Sequence, residues 1–157
     1  MIVIRHEIWI AAAPEVCFDL CLDVSVHQDS AAQTGERVVR GRTEGKLELG
    51  EEITFQGRHF GIVFNLTAKV TQLERPQFFV DEMVRGPFRS LWHEHRFEAS
   101  SGGTSMVDET RVSATFGPLG WLAERVLIRR HLAKFLRKRA EYIKQLAEGL
   151  ATGRPVQ

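Results

Sequence analysis

The strongest constraint on the fold of this chain is a change of hydrophobic period close to Gly117. Upstream, apolar and polar residues alternate in short runs separated by turn formers, the pattern of half-buried strands. The runs are Glu36 to Arg40, Glu51 to His59, Gly61 to Leu73, Gln77 to Arg85, Phe88 to Ala99 and Thr104 to Phe116. Gly45 and Gly50, Arg75-Pro76, Gly86-Pro87 and Ser100-Ser101-Gly102-Gly103 punctuate them. Then Gly117-Pro118-Leu119-Gly120 breaks the pattern, and Pro118 suits a helix N-terminus. From Leu119 to Leu150 apolar residues recur at helical spacing over about nine turns.

The first residues add another strand. Ile2, Ile4, His6, Ile8 and Ile10 share one face, and Val3, Arg5, Glu7 and Trp9 the other. Pro14 opens a short helix with Val16, Cys17, Leu20 and Cys21 as its apolar stripe. Asp23 to about Ala32 reads as a second short helix or an irregular turn. Short links between consecutive strands imply an antiparallel meander, and a long meander curls because strands twist. The last helix is too long to pack on the short helices alone, so it must lie across the sheet. The expected architecture is α+β: a curved antiparallel sheet of about six to seven strands around a long C-terminal helix. The concave face is wider than one helix, and the space left over is a cavity. Residues 1–150 are expected to form one domain and 151–157 a flexible tail.

Composition narrows the function classes. The chain has 157 residues, 43% hydrophobic and 26% charged, which is ordinary globular usage. A net charge of +1 gives no overall field for nucleic acid, and none is expected as a partner. The two cysteines, Cys17 and Cys21, are too few for a disulfide scaffold and read as small buried residues. Arg5, His6 and Glu7 interrupt the N-terminal apolar run, so no secretory signal is expected. No apolar stretch approaches the roughly 20 residues of a membrane span, and a cytoplasmic protein is the expectation.

The order of elements carries a resemblance, together with Gly57-Arg58-His59-Phe60-Gly61, Arg75-Pro76-Gln77-Phe78-Phe79-Val80-Asp81-Glu82-Met83, Gly86-Pro87-Phe88, His93-Glu94-His95-Arg96-Phe97, Thr104-Ser105-Met106-Val107-Asp108 and Gly117-Pro118-Leu119-Gly120. From about residue 2 to 148 the chain resembles the SRPBCC superfamily, which includes START lipid-transfer domains, birch-pollen-allergen-like proteins and polyketide cyclase/dehydrase-like proteins. The resemblance implies the helix-grip fold and a cavity for a small hydrophobic ligand such as a lipid, quinone or polyketide. Members of this superfamily either carry ligands or catalyse, so a carrier and a cyclase or dehydratase both stand as readings.

The segment His93-Glu94-His95 holds the sharpest chemical signal. His93 and His95 share a strand face with Leu91 and Phe97, which marks it as the concave one. If the Ser100 to Gly103 turn pairs Phe97 with Met106, then His95 faces Asp108 and His93 faces Thr110. Cross-strand Cβ atoms lie about 4.5–5.5 Å apart, within reach of an imidazole–carboxylate contact. A three-residue loop at Gly86-Pro87-Phe88 places Asp81 opposite His93 and Met83 opposite Leu91, whereas a two-residue turn puts Asp81 on the outer face. The candidate catalytic or ligand-orienting residues are therefore His95, Asp108, His93 and Asp81. The plain alternative is a hydrogen-bonded core network. The candidate apolar lining is Phe55, Phe64, Leu66, Phe79, Met83, Leu91, Phe97, Met106 and Trp121, with Ile53, Ile62, Val126 and Ile128 beside them.

His93, His95 and Asp108 would supply three metal ligands, but His-x-His on a strand is common by chance and no further Cys/His cluster supports it, so no metal is expected. No phosphate-cradling glycine loop or nucleophile elbow is present, and no cofactor is expected. The long helix carries Arg125, Arg129, Arg130, Lys134, Arg137, Lys138, Arg139 and Lys144 against Glu124, Glu141 and Glu148. That excess reads as a solvated outer face, or as a surface for peripheral membrane or protein contact and a regulatory role.

Overall fold

A computed structural model describes residues 1–113 and 121–153, with 121–125 described by backbone alone. The elements in chain order are β1 (Ile2–Ile10), α1 (Pro14–Leu22), α2 (Val24–Ser30), a 3₁₀ turn (Ala32–Thr34), β2 (Arg37–Arg40), β3 (Glu52–His59), β4 (Ile62–Glu74), β5 (Phe78–Arg85), β6 (Ser90–Ser100), β7 (Gly103–Ser113) and α3 (Trp121–Thr152). The strands form one 7-stranded antiparallel sheet in the order β1-β7-β6-β5-β4-β3-β2. This is the helix-grip arrangement. The expected helix start at 117–120 and the strand extension to Phe116 lie outside the described residues. Of the expected tail, Ala151 and Thr152 are helical and 154–157 lie outside the description.

Local chemistry accounts for the joints. Pro14 stands at the first turn of α1, where a missing N–H costs nothing. The segment after Asp23 is a helix because Asp23 caps it, accepting from the Ser25 and Val26 amides at 2.9 and 3.1 Å. Ser101 and Gly102 both have positive φ, 45° and 78°. Two such residues make the tight turn whose twist matches a hairpin, and this fixes Phe97 opposite Met106, His95 opposite Asp108 and His93 opposite Thr110. Phe60 and Gly61, at 52° and 78°, join β3 to β4 in the same way. Register shifts between Thr67 and Ala68, where β5 carries the extra residue Val84, and between Val70 and Gln72, where β4 carries the extra Thr71, are bulges that kink this strand pair.

The core lies at one end of that face. Phe18 of α1 is fully buried and meets Phe79 and Phe97 edge-on at 5.6 and 5.5 Å. Ala140, Ile143 and Ala147 of α3 complete this cluster with Ile10, Cys17 and Met106. The Thr104 hydroxyl donates to the Ala12 carbonyl at 2.6 Å and ties α1's approach to β7. Further toward its N-terminus, α3 rests on β1 through Leu136, Ile2 and Ile4. Its closest backbone neighbours are β1, α1 and α2, and beyond the packing of Ala140, Ile143 and Ala147 with β5, β6 and β7 it leaves space over β3 and β4. Replacing Phe18 with Ala should therefore cost about 3–5 kcal/mol, the range for an aromatic core truncation. Urea unfolding measures this, and a loss under about 1 kcal/mol would show that α1 does not lock the core.

Candidate functional site

Where α3 stands off, the sheet and helix enclose a cavity of about 450 Å³. Its wall is mostly apolar, and Phe55, Phe64, Leu66, Phe79 and Leu91 all line it, as do Ile53, Ile62 and Ile128. Phe97 and Met106 belong instead to the solid core, because α1 covers that end of the sheet and Phe18 seats on Phe97. Met83 is half-buried on β5 outside the lining, with its sulfur packed over Gly86. Val126 is exposed and also outside the lining. The Trp121 side chain lies outside the description.

Two adjacent cross-strand rows place the polar groups. One runs Ile4, Thr110, His93, Asp81, Val70, and the next runs His6, Asp108, His95, Phe79, Leu73. The register between β5 and β6 sets Asp81 opposite His93, which is the outcome of the longer Gly86-Pro87-Phe88 loop and turns Asp81 inward. His95 Nδ1 sits 2.6 Å from Asp108 Oδ1, and its Nε2 sits 3.5 Å from Asp81 Oδ2. His93 Nδ1 and Nε2 lie 3.7 Å from Asp81 Oδ2 and 3.9 Å from Asp108 Oδ1. The short His95–Asp108 contact is an ion pair off the hydrogen-bond axis, since neither atom completes an aligned bond. His93, His95 and Asp108 are each 6% exposed.

The environment sets the two imidazoles apart. Burial pulls His95 down, but Asp108 and then Asp81 outweigh it and hold the ring up at about 9. Burial, then the charge on His95, pushes His93 down to about 3. Burial favours protonating both carboxyls, yet His95, His93 and Arg139 keep Asp81 and Asp108 below the usual range. Near neutral pH the cluster therefore holds two carboxylates, one imidazolium and one neutral imidazole, with the Arg139 guanidinium close by.

Arg139, His27, Glu36, His59 and His131 also line the cavity and join the residues expected from the sequence. Arg139 leaves the basic outer face and turns inward, donating to Ser30 Oγ at 3.2 Å and to His27 Nδ1 at 2.9 Å. A guanidinium only donates, so the His27 proton sits on Nε2, 3.3 Å from the Glu36 carboxylate. Burial and then Arg139 lower the His27 pKa, in keeping with a neutral ring. His59 and His131 share a 2.8 Å hydrogen bond beside exposed Phe60. A signal for two of these was present: His131 and Arg139 fall on the helical spacing of Ile128, Leu132, Phe135 and Leu136. Arg129, Arg130, Lys134, Arg137 and Lys138 stay exposed.

His6 reaches the same face beside Asp108, with a buried Nε2 that lacks a partner among the described residues. Asp81, His93 and His95 bring one donor atom each within 4.8 Å of one another, so a metal would find three ligands there. Without one, the cluster can offer the proton of His95 and the acceptor oxygens of Asp81 to a carbonyl or hydroxyl.

The pH response follows from the two shifts. His95 is raised above 6.5, so its stabilisation is complete below 6.5 and is lost as pH rises through about 9. His93 is lowered, so stability also falls as pH drops from 6.5 toward 3. The unfolding free energy from urea titration should peak near neutrality and fall on the alkaline side by an amount on the order of 1–3 kcal/mol. Asp108→Asn should remove that alkaline loss and lower the His95 titration followed by NMR. An unchanged His95 titration would contradict the ion pair.

Comparisons with known proteins agree with this architecture. No curated protein sequence matches the chain. Among solved structures, the protein TTHA0849 from Thermus thermophilus is similar at 17% identity and a TM-score of 0.76, over 96% of this chain and 98% of that one. The Zhui aromatase/cyclase from a Streptomyces species is similar at 14% identity and 0.76, over 98% of each chain. A START superfamily protein from Mycobacterium smegmatis is similar at 11% identity and 0.71, over 94% and 98%. At such identities they speak for the fold alone. The model of a family described as polyketide cyclase / dehydrase and lipid transport matches residues 10–136. This chain belongs to that polyketide cyclase / dehydrase and lipid transport family.

Proposed function

We propose that the protein binds a small, largely apolar molecule of lipid, quinone or polyketide type, and holds its one polar group at the inner wall. The observation that carries this reading is the cavity of about 450 Å³, apolar on most sides, with Asp81, His93, His95 and Arg139 converging on it. Small-molecule sites have this character: roughly 300–1,000 Å³, greasy walls and a few placed polar groups. Donors on His95 and Arg139 and an acceptor on Asp81 suit a carbonyl or hydroxyl oxygen. Family membership supports ligand binding in general terms.

A second reading, a cyclase or dehydratase, is favoured by one specific feature. His93 and His95 are neighbours with ring centroids 3.9 Å apart, yet one is held neutral and the other charged. Such a pair suits removing a proton beside a carbonyl while donating one to its oxygen. On this reading the exchange of 2-decalone α-protons in D₂O, followed by NMR, is faster with the protein and returns to background in His95→Phe. No acceleration by the wild type sinks it.

The binding reading is tested by filling the hollow. Ala68 is 6% exposed and borders the cavity. Ala68→Leu adds apolar volume where there is room, so the melting temperature should hold. Affinity for the fluorescent probe 1-anilinonaphthalene-8-sulfonate should fall at least about tenfold, equal to roughly 1.4 kcal/mol. Unchanged probe affinity would mean the probe binds elsewhere and the cavity is not the site.

A further inference from the structure

We propose that Asp81, His93 and His95 form a binding site for a first-row divalent cation, with Asp108 supporting both imidazoles from behind and the remaining coordination positions facing the cavity. Sequence spacing suggested a different set, with Asp108 as the third donor. The β5–β6 register brings Asp81 to the front instead.

Three observations carry the site. First, Asp81 Oδ2 lies 3.7 Å from His93 Nδ1 and 3.5 Å from His95 Nε2. Two ligands on a tetrahedral ion at about 2.1 Å are about 3.4 Å apart, so the two Asp81 edges are within tenths of an ångström of that spacing, and all three donor atoms lie within 4.8 Å of one another. Second, the far nitrogens of both rings point back to one oxygen, Asp108 Oδ1, at 2.6 Å from His95 Nδ1 and 3.9 Å from His93 Nε2. The Asp108 charge behind His95 favours the proton on Nδ1 and leaves the Nε2 lone pair for a metal, and at 3.9 Å it acts on His93 through charge alone. Third, His93 Nε2, His95 Nδ1 and Asp108 Oδ1 are buried without an aligned hydrogen bond among the described residues. Such frustration in a fully buried cluster needs a reason, and a shared cation in front of the rings gives them a fixed orientation.

The donor chemistry selects the ion class. Two imidazole nitrogens and one carboxylate suit zinc, iron, cobalt or nickel, whereas magnesium and calcium prefer all-oxygen sites. Cys21 is not in the set; its thiol lies against the Met106 sulfur at 3.8 Å. This inference goes beyond the ligand reading and stands without it, since the three donors come from two rigid central strands.

The test uses the full chain, stripped with EDTA, desalted and titrated with Co²⁺ while the visible spectrum is recorded. The expected result is one equivalent bound more tightly than about 10 μM. Its d–d bands should be those of a four- or five-coordinate nitrogen/oxygen site without a thiolate charge-transfer band. Asp81→Asn should weaken binding at least about 100-fold, and Asp108→Asn by about 10- to 100-fold, the usual effect of losing a supporting carboxylate. Excess Mg²⁺ should not compete. Folded wild-type protein that takes up no Co²⁺, or Asp81→Asn and His95→Phe variants that bind it as tightly as wild type, overturns the proposal. Uptake of 1-anilinonaphthalene-8-sulfonate by the stripped protein reports separately on the cavity reading.

Discussion

Everything specific to this molecule follows from how α3 is fastened. At one end Ala140 and Ala147, both close to fully buried, let the helix approach α1 and the sheet. Small side chains permit that approach, and Ile143 and Phe18 fill what remains. At the other end the helix presents Leu132, Phe135 and Leu136, and touches down on β1 through Ile2 and Ile4. The sheet between these supports is kinked by the bulges of the β4–β5 pair. A straight rod over an arched surface, fixed at one end and along one edge, leaves a hollow in the middle. The apolar residues facing that hollow are left without protein neighbours on one side, and covering them is the gain that a bound apolar molecule would realise.

The polar cluster on the hollow's wall is costly to keep. Each charge withdrawn from water costs several kcal/mol, and pairing only partly returns it. Here the arrangement limits the damage: the two carboxylates face one imidazolium, His93 stays neutral, and Arg139 reaches in from α3. Replacing the whole cluster with apolar residues would make a firmer core. Its place on the inner rows of the sheet, with several atoms lacking aligned partners among the described residues, is the observation behind the functional proposals. The basic residues on the outer face of α3 form a separate, solvated feature.

Much of this was legible in the sequence, because the signals are local. Alternation gives the strands, the Ser101-Gly102 turn gives the β6–β7 register, and that register alone puts His95 opposite Asp108. Asp81 was ambiguous because Gly86-Pro87-Phe88 is compatible with turns of two lengths, and a slip of one residue flips a strand's faces. Phe97 and Met106 carried the same period as Leu91 and Phe79; whether such a residue meets a ligand or another side chain depends on where α1 lands, which is a tertiary fact. Arg139 was hidden by its charged neighbours Arg137 and Lys138. His27 and Glu36 meet only through packing of α2 against β2 and α3, and no spacing in the chain announces it.

The central claim is that a hollow separates α3 from the middle of the sheet, and pressurising crystals of the protein with xenon tests it most directly. Xenon settles in apolar spaces that side chains leave unfilled. Xenon density is expected between Phe55, Phe79 and Leu132, with the His95 ring at its inner edge. Crystals that take up no xenon, with Leu132 and Phe135 seated directly on β4 and β5, would contradict it.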